Sequence, residues 1–81
     1  MNLMPWEQIV PDLSLTPAQK VAAMAMDSDP AGRDPYTDLM VRPDYAMLIT
    51  PKFRAALTEA LSEYLDEPVS LRIRPRLFSV Q

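Results

Sequence analysis

Residues 50–74, TPKFRAALTEALSEYLDEPVSLRIR, decide the fold of this chain. Thr50 followed by Pro51 is typical of a helix start, because threonine caps free backbone N–H groups and proline fits the first helical position. Beyond them, apolar side chains recur at helical spacing and polar side chains take the other side. The segment therefore predicts a long amphipathic helix with one buried face. Its apolar stripe comprises Phe53, Leu57, Ala60, Leu61, Tyr64 and Leu65.

The residues after this helix predict a strand that is buried on one face. Residues 66–68, Asp-Glu-Pro, end the helix, since the residue before a proline disfavours helical backbone. Apolar and polar side chains then alternate over residues 69–74. Successive side chains of a strand point to opposite faces, so the arginines of this segment are expected to face away from the core. The apolar set is Val69, Leu71 and Ile73, and the polar set is Ser70, Arg72 and Arg74.

Two shorter helices are predicted upstream. Pro5 opens the first, and Pro11 limits its length to a few turns at most. The second starts at Thr16 and Pro17, with Gln19 completing a capping box, and is expected to continue through residues 20–26. The apolar positions of the first helix are Trp6, Ile9, Val10 and Leu13. Trp6 is expected to pack against the second helix as a core residue.

The centre of the chain predicts a loop followed by a hairpin. Residues 27–37 are rich in proline and charge and lack an apolar period, so they are expected to form an internal loop. Residues 39–42 are typical of a strand, and residues 43–44, Pro-Asp, of a turn leading to a second strand over residues 46–49. The predicted order is helix, helix, strand, strand, helix, strand, which makes the fold class α+β with the long helix packed on a small sheet.

Length and composition predict one domain over residues 1–81 that has no catalytic activity. A chain of 81 residues supports a single core and leaves little surface for a deep cleft. The absence of His and Cys removes the commonest general base and the strongest nucleophile. Asp27 and Asp29 lack the further oxygen ligands of a calcium loop. We therefore expect no catalytic residue, no metal site, no cofactor and no small-molecule substrate.

The charge and the cysteine content limit the kinds of partner and the cellular compartment that are expected. The net charge of −3 argues against nucleic acid, whose binding depends on neutralising phosphates. Gly32 is the single glycine, so the Gly-x-x-Gly loop of a KH domain cannot form. The lack of cysteine, of a signal sequence and of an apolar run of roughly 18 residues favours a cytoplasmic protein without a membrane span. A protein partner is the remaining expectation.

The predicted partner-binding site lies on the final strand and on the tail that follows it, residues 75–81. Arginine beside an exposed aromatic side chain is favoured at interface hot spots. In the alternative interpretation, the arginines only protect an edge strand from pairing with other chains. Met40 and Met47, near the predicted hairpin, offer a second adaptable surface. The predicted site residues are Arg72, Arg74, Arg76, Leu77 and Phe78.

Residues 53–73, FRAALTEALSEYLDEPVSLRI, resemble a helix-then-strand segment in the carboxy-terminal region of the tau subunit of bacterial DNA polymerase III. That segment has an Ala-Leu-Ser-Glu helix, a short turn and a Val-x-Leu-x-Ile strand. Residues 39–43, LMVRP, are similar to its strand ending in Arg-Pro. Residues 5–10, PWEQIV, with Leu13, and residues 21–25, VAAMA, are similar to its tryptophan-led and alanine-rich helices. Similar signatures occur in the amino-terminal domain of the replication initiator DnaA, which shares a KH-like arrangement.

The resemblance implies a small KH-like domain that connects replisome components through protein contacts. The implied partners are the polymerase alpha subunit, the replicative helicase and clamp-loader components. Two departures from the family are Asp66, where the family usually has a glycine, and the end of the chain at Gln81, before the family's further helices. We therefore expect a stand-alone module, either a short natural protein or an excised domain. The alternatives are a phage or plasmid protein that mimics or inhibits a host replication factor, and a KH-like nucleic-acid-binding domain.

Overall fold

The computed structural model describes residues 4–30 and 32–75, beginning with two short helices joined end to end. Helix α1 spans Trp6–Ile9 and continues as a 3₁₀ helix over Val10–Asp12. Pro11 has no N–H to donate, so the regular α-helical hydrogen bonding stops there. The predicted short first helix is confirmed. Its four predicted apolar positions, Trp6, Ile9, Val10 and Leu13, are all buried.

Helix α2 spans Pro17–Met24 and begins with the predicted capping box. The Gln19 N–H donates to the Thr16 hydroxyl at 3.2 Å, and the Thr16 N–H donates to the Gln19 side-chain oxygen at 3.0 Å. The sequence predicted that this helix continues through residue 26. In the structure it ends at Met24, because Met26 already belongs to a strand. Trp6 packs against α2 in the core, as predicted, and its indole N–H donates to the Ala23 carbonyl.

Within residues 4–30 and 32–75, three strands form one mixed sheet: β1 over Met26–Ser28, β2 over Asp38–Val41 and β3 over Arg72–Pro75. The order β1-β2-β3 places β2 in the centre, antiparallel to β1 and parallel to β3. The buried strand residues share the face that meets the helices, and the other face carries the polar side chains. The buried strand residues are Met26, Leu39 and Val41, with Ile73 partly buried.

The predicted hairpin and the predicted loop are both corrected by this sheet. The antiparallel partner of β2 is β1, which lies partly within residues 27–37, the segment predicted to be a loop. Residues 46–49 are not a strand, because Pro43–Leu48 forms the second 3₁₀ helix. None of the residues of this segment is buried, so it lacks the alternation of buried and exposed side chains that stabilises a strand. Proline at its first position also favours a helical start.

Helix α3 spans Pro51–Leu65 and packs its apolar stripe into the core. Its start is capped as predicted, since the Phe53 N–H donates to the Thr50 hydroxyl at 3.1 Å. Tyr64 is an exception to the predicted stripe, with 38% of its surface exposed. The helix ends at Asp66, whose φ of 57° lies in the left-handed region. Aspartate tolerates that conformation better than most side chains, which explains how the chain manages without glycine there.

The final strand is shorter than predicted, because pairing starts at Arg72 rather than at residue 69. Its alternation agrees with the prediction: Leu71 is buried and Arg72 is exposed. Within the described residues, the α+β class predicted from sequence is confirmed. None of the helices in this part of the chain is both long and apolar enough to cross a membrane.

Candidate binding face on strand β3

Strand β3 presents the two arginines that sequence placed in the binding site. Arg72 and Arg74 are exposed on the sheet face opposite the partly buried Ile73. The backbone of the strand is held in place, because the Arg72 N–H donates to the Thr37 carbonyl at 2.8 Å. Both side chains can therefore be changed without opening the core. The other predicted site residues, Arg76, Leu77 and Phe78, lie outside the described residues.

The neighbouring strand contributes the side chains that lie beside these arginines. Asp38 is paired with Arg72 and Met40 with Arg74 in the register of β2 and β3. Both β2 side chains are half-buried and point to the same face as the arginines. Met40 thus lies on the open face of the sheet. The hairpin on which a surface of Met40 and Met47 was predicted does not form, because Met47 belongs to the second 3₁₀ helix.

Residues 32–37, in the connection from β1 to β2, are held by hydrogen bonds to two aspartate side chains. The N–H groups of Arg33 and Asp34 donate to Asp38 Oδ2 at 2.8 and 3.0 Å. The Asp34 carboxylate accepts from the N–H groups of Tyr36 and Thr37 at 2.8 and 3.2 Å. Aspartate side chains commonly stabilise turns in this way. The connection therefore holds Arg33 in a defined position near the start of β3.

The surroundings of Asp38 keep its carboxylate ionised. The backbone N–H groups of Asp34 and Arg33 lower its pKa below the ordinary value of 3.8, and burial opposes this effect. The positive charges of Arg72 and Arg74 lower the pKa further, to a lesser extent. Because the folded pKa is depressed, the carboxylate stabilises the fold above pH 3.8. That contribution is lost as the pH falls through the folded value.

A shallow polar groove lies between the connection and β3. Its guanidinium groups provide planar N–H donors, and its two hydroxyl groups can donate or accept hydrogen bonds. Guanidinium groups bind carboxylates through paired N–H···O bonds, so such a groove suits an acidic side chain or a chain terminus. The groove is lined by Arg33, Thr37, Asp38, Ser70 and Arg72.

Gly32 allows the connection to approach β2 closely. A Cβ atom added to Gly32 would lie 2.3 Å from the Asp38 Cβ, so the backbone would have to move. We expect Gly32→Ala to lower the free energy of unfolding by about 1–3 kcal/mol through overpacking. Alanine also reduces the entropy of the unfolded chain, which favours folding, but this effect is smaller. Urea denaturation followed by circular dichroism measures this change. Ser70→Ala, at an exposed position, is the control, and equal stability of both variants would contradict the close approach.

Sequence reasoning missed the contributions of Arg33 and Asp38 to this face. Asp34 followed by Pro35 was a signal for a turn, but it did not reveal that Asp38 accepts backbone hydrogen bonds from the same segment. No family model matches this chain, and neither a curated protein nor a solved structure is significantly similar to it.

Proposed function

We propose that this chain is a protein-binding module without catalytic activity, and that its partner binds the arginine face of β3 and the tail that follows. The observation that supports this proposal is the exposure of Arg72 and Arg74 on one face of a strand whose backbone is fixed by pairing with β2. Two guanidinium groups on a rigid support lose little side-chain freedom per bond when they bind. Arginine is also enriched among the residues that dominate interface energies.

Side chains rather than the strand edge are expected to select the partner. The Arg72 N–H donates towards β2, so by alternation the main-chain groups of Ile73 point to the outer edge of the sheet. Pro75 follows and has no N–H to offer at that edge. A proline in an edge strand limits the addition of another strand. The arginine side chains are therefore the main recognition groups of this face.

We further propose that the partner belongs to the bacterial replication machinery, as a polymerase alpha subunit, a helicase or a clamp-loader component. This step depends on the resemblance of residues 53–73 and the upstream segments to the carboxy-terminal region of tau. The α+β fold with a three-stranded mixed sheet is compatible with the KH-like arrangement proposed with it. The cytoplasmic location expected from the sequence would agree with such a partner. A phage or plasmid protein that mimics a host replication factor would use the same face.

Arg72→Ala combined with Arg74→Ala should weaken partner binding at least tenfold, about 1.4 kcal/mol, with the melting temperature nearly unchanged. Both side chains lie away from the core, so the fold should survive their removal. Isothermal titration calorimetry against purified polymerase alpha subunit and replicative helicase measures the affinity. Phe78→Ala is expected to give a similar loss.

A double variant on α3, Glu59→Ala with Glu63→Ala, is the matched control for the arginine pair, because it also removes two exposed charges. Unaltered affinity in the arginine variant, together with a loss in the α3 variant, would place the interface on the polar side of α3. If neither replication protein binds the unchanged chain, and a purified clamp-loader complex does not bind it either, the replisome proposal is wrong.

The chain should have no meaningful affinity for single- or double-stranded nucleic acid at physiological salt. The net charge of −3 disfavours contact with phosphates, and a single glycine cannot supply a Gly-x-x-Gly clamp. Fluorescence anisotropy with mixed-sequence oligonucleotides tests this expectation. Binding tighter than about 1 µM that weakens steeply with added salt would favour the KH-like nucleic-acid-binding alternative.

A further inference from the structure

A second surface of the molecule exposes apolar side chains near α2. Among the described residues, seven large hydrophobic side chains are exposed, and five of them belong to α2 and the second 3₁₀ helix. Met47 is 82% exposed and Val21 is 66% exposed, the two largest fractions among these side chains. Met24 lies two residues after Ala22 and so points to the opposite side of α2. The other four, Val21, Tyr45, Met47 and Leu48, we call the apolar surface. Exposed hydrophobic groups that lie together are typical of an interaction site.

A groove adjoins the apolar surface and runs between α2 and the first turn of α3. Ala18 and Ala22 of α2 line one side, Lys52 and Phe53 the other, and Leu48 contributes from the 3₁₀ helix. Ala18, Val21 and Ala22 are spaced by three and four residues, so they form one stripe along α2. Ala18 is small and exposed, so another backbone can approach α2 closely there, while Ala22 is buried beside it. None of the residues that line this groove belongs to β3.

The walls of the groove favour a helix as its occupant. They are formed by α2, the second 3₁₀ helix and the start of α3, including the Thr50 cap. Backbone groups within helices bond to one another, so the walls offer no strand edge for pairing. A bound segment must therefore satisfy its own N–H and C=O groups, and a helix does so.

The charges around the groove favour an acidic occupant. Lys52 lines it. Lys20, two residues before Ala22, points to the other side of α2, where its ammonium group donates to the Pro11 carbonyl. The Arg42 guanidinium lies 4.8 Å from the centre of the Tyr45 ring, beside the apolar surface. Asp44 is the acidic residue of the second 3₁₀ helix, and the first turn of α3 has none. This region is thus basic in a chain of net charge −3.

We propose that the groove and the apolar surface bind an amphipathic helix of a partner protein, with an acidic polar face. The apolar side of that helix would cover Val21, Met47 and Leu48, and its carboxylates would meet Lys52 and Arg42. Methionine side chains adapt to differently shaped partners, which suits Met47 to this contact. The site is separate from the arginine face of β3 and does not depend on the function proposed for that face.

Two synthetic peptides test the proposal directly. The first is a helix of about 18 residues with leucines at positions i, i+3, i+4 and i+7 and glutamates on the opposite face. The second has lysine in place of every glutamate. Fluorescence anisotropy should give a Kd below about 100 µM for the acidic peptide, and binding at least about tenfold weaker for the basic one. Amide chemical shifts should change in α2 and in residues 43–48 and not in β3.

Point variants test whether the groove and the apolar surface themselves hold the acidic peptide. Met47→Gln and Lys52→Glu should each weaken binding of the acidic peptide at least about fivefold. Met4→Gln removes a methionine that is 45% exposed outside the groove and should leave binding unchanged. The Arg72→Ala with Arg74→Ala variant should also bind normally, which keeps this test independent of the β3 face.

Three results would overturn the proposal: no binding of the acidic peptide, equal affinity for both peptides, or shift changes confined to β3. Sedimentation equilibrium provides a fourth. A dimer of the unchanged chain that dissociates in Met47→Gln would show that a second copy covers this surface instead.

Discussion

Leu61→Ala should lower the free energy of unfolding by about 2–5 kcal/mol, the usual cost of deleting a buried leucine side chain. Leu61 lies on α3 with 0% of its surface exposed, within a core that α1, α2 and the sheet all help to form. Neighbours on every side restrict collapse around the missing atoms, so a cavity should remain. A domain is typically stable by about 5–15 kcal/mol in total, so this loss would be large.

Thermal melting and urea denaturation followed by circular dichroism measure the effect of Leu61→Ala. Tyr64→Ala is the control, since it lies on the same helix one turn further along but is substantially exposed. Its cost should stay below about 1 kcal/mol. A shift in melting temperature of under about 2 °C for Leu61→Ala would contradict the burial of this face of α3.

The helices could be predicted because their signals are local. Thr16 and Thr50 each precede a proline, and both threonine hydroxyls accept a backbone N–H as expected. The stripe on α3 identified its buried face, except at Tyr64, which lies near the carboxy-terminal end of the helix and is not fully covered. Such signals depend on residues within a few positions of one another, so one sequence suffices to find them.

The middle of the chain could not be predicted because its structure depends on distant contacts. Strand β1 has three residues, and only Met26 among them is buried, so no alternating pattern marks it. It is a strand because Met26–Ser28 pairs with Val41–Leu39 across the intervening connection. Residues 46–49 show the reverse case, in which an apolar run suggested a strand and the structure exposes Met47 and Leu48 instead.

The candidate sites also combine features that local sequence patterns predict with features that depend on distant contacts. The outward direction of Arg72 and Arg74 followed from alternation along a strand, and it is confirmed. The position of Arg33 near them depends on hydrogen bonds from a backbone segment to Asp38, which alternation cannot reveal. The groove beside α2 exists only because Leu48 and Phe53 come together with Ala22 in space. A sequence pattern does not show which separate elements lie next to one another in space.

Trp6→Ala should lower the free energy of unfolding by about 3–5 kcal/mol. If the stability of this domain is near the low end of the usual range, about 5 kcal/mol, much of the variant would be unfolded. Trp6 is buried beside α2, and its indole N–H donates to the Ala23 carbonyl at 2.8 Å. The residue therefore joins α1 to α2 by packing and by one buried hydrogen bond. Loss of the ring removes both.

Trp6→Phe separates the two contributions, because phenylalanine keeps an aromatic ring in the core but has no N–H to donate. Its cost should be smaller, about 1–3 kcal/mol, including the loss of the buried hydrogen bond. Trp6 is the single tryptophan, so unfolding of both variants must be followed by far-ultraviolet circular dichroism in urea rather than by fluorescence. Nearly equal stability of Trp6→Phe and the unchanged protein would show that the bond to Ala23 adds little. Nearly equal stability of Trp6→Ala and the unchanged protein would contradict the core position of Trp6. A buried indole cannot be removed without leaving a cavity or forcing α1 to move.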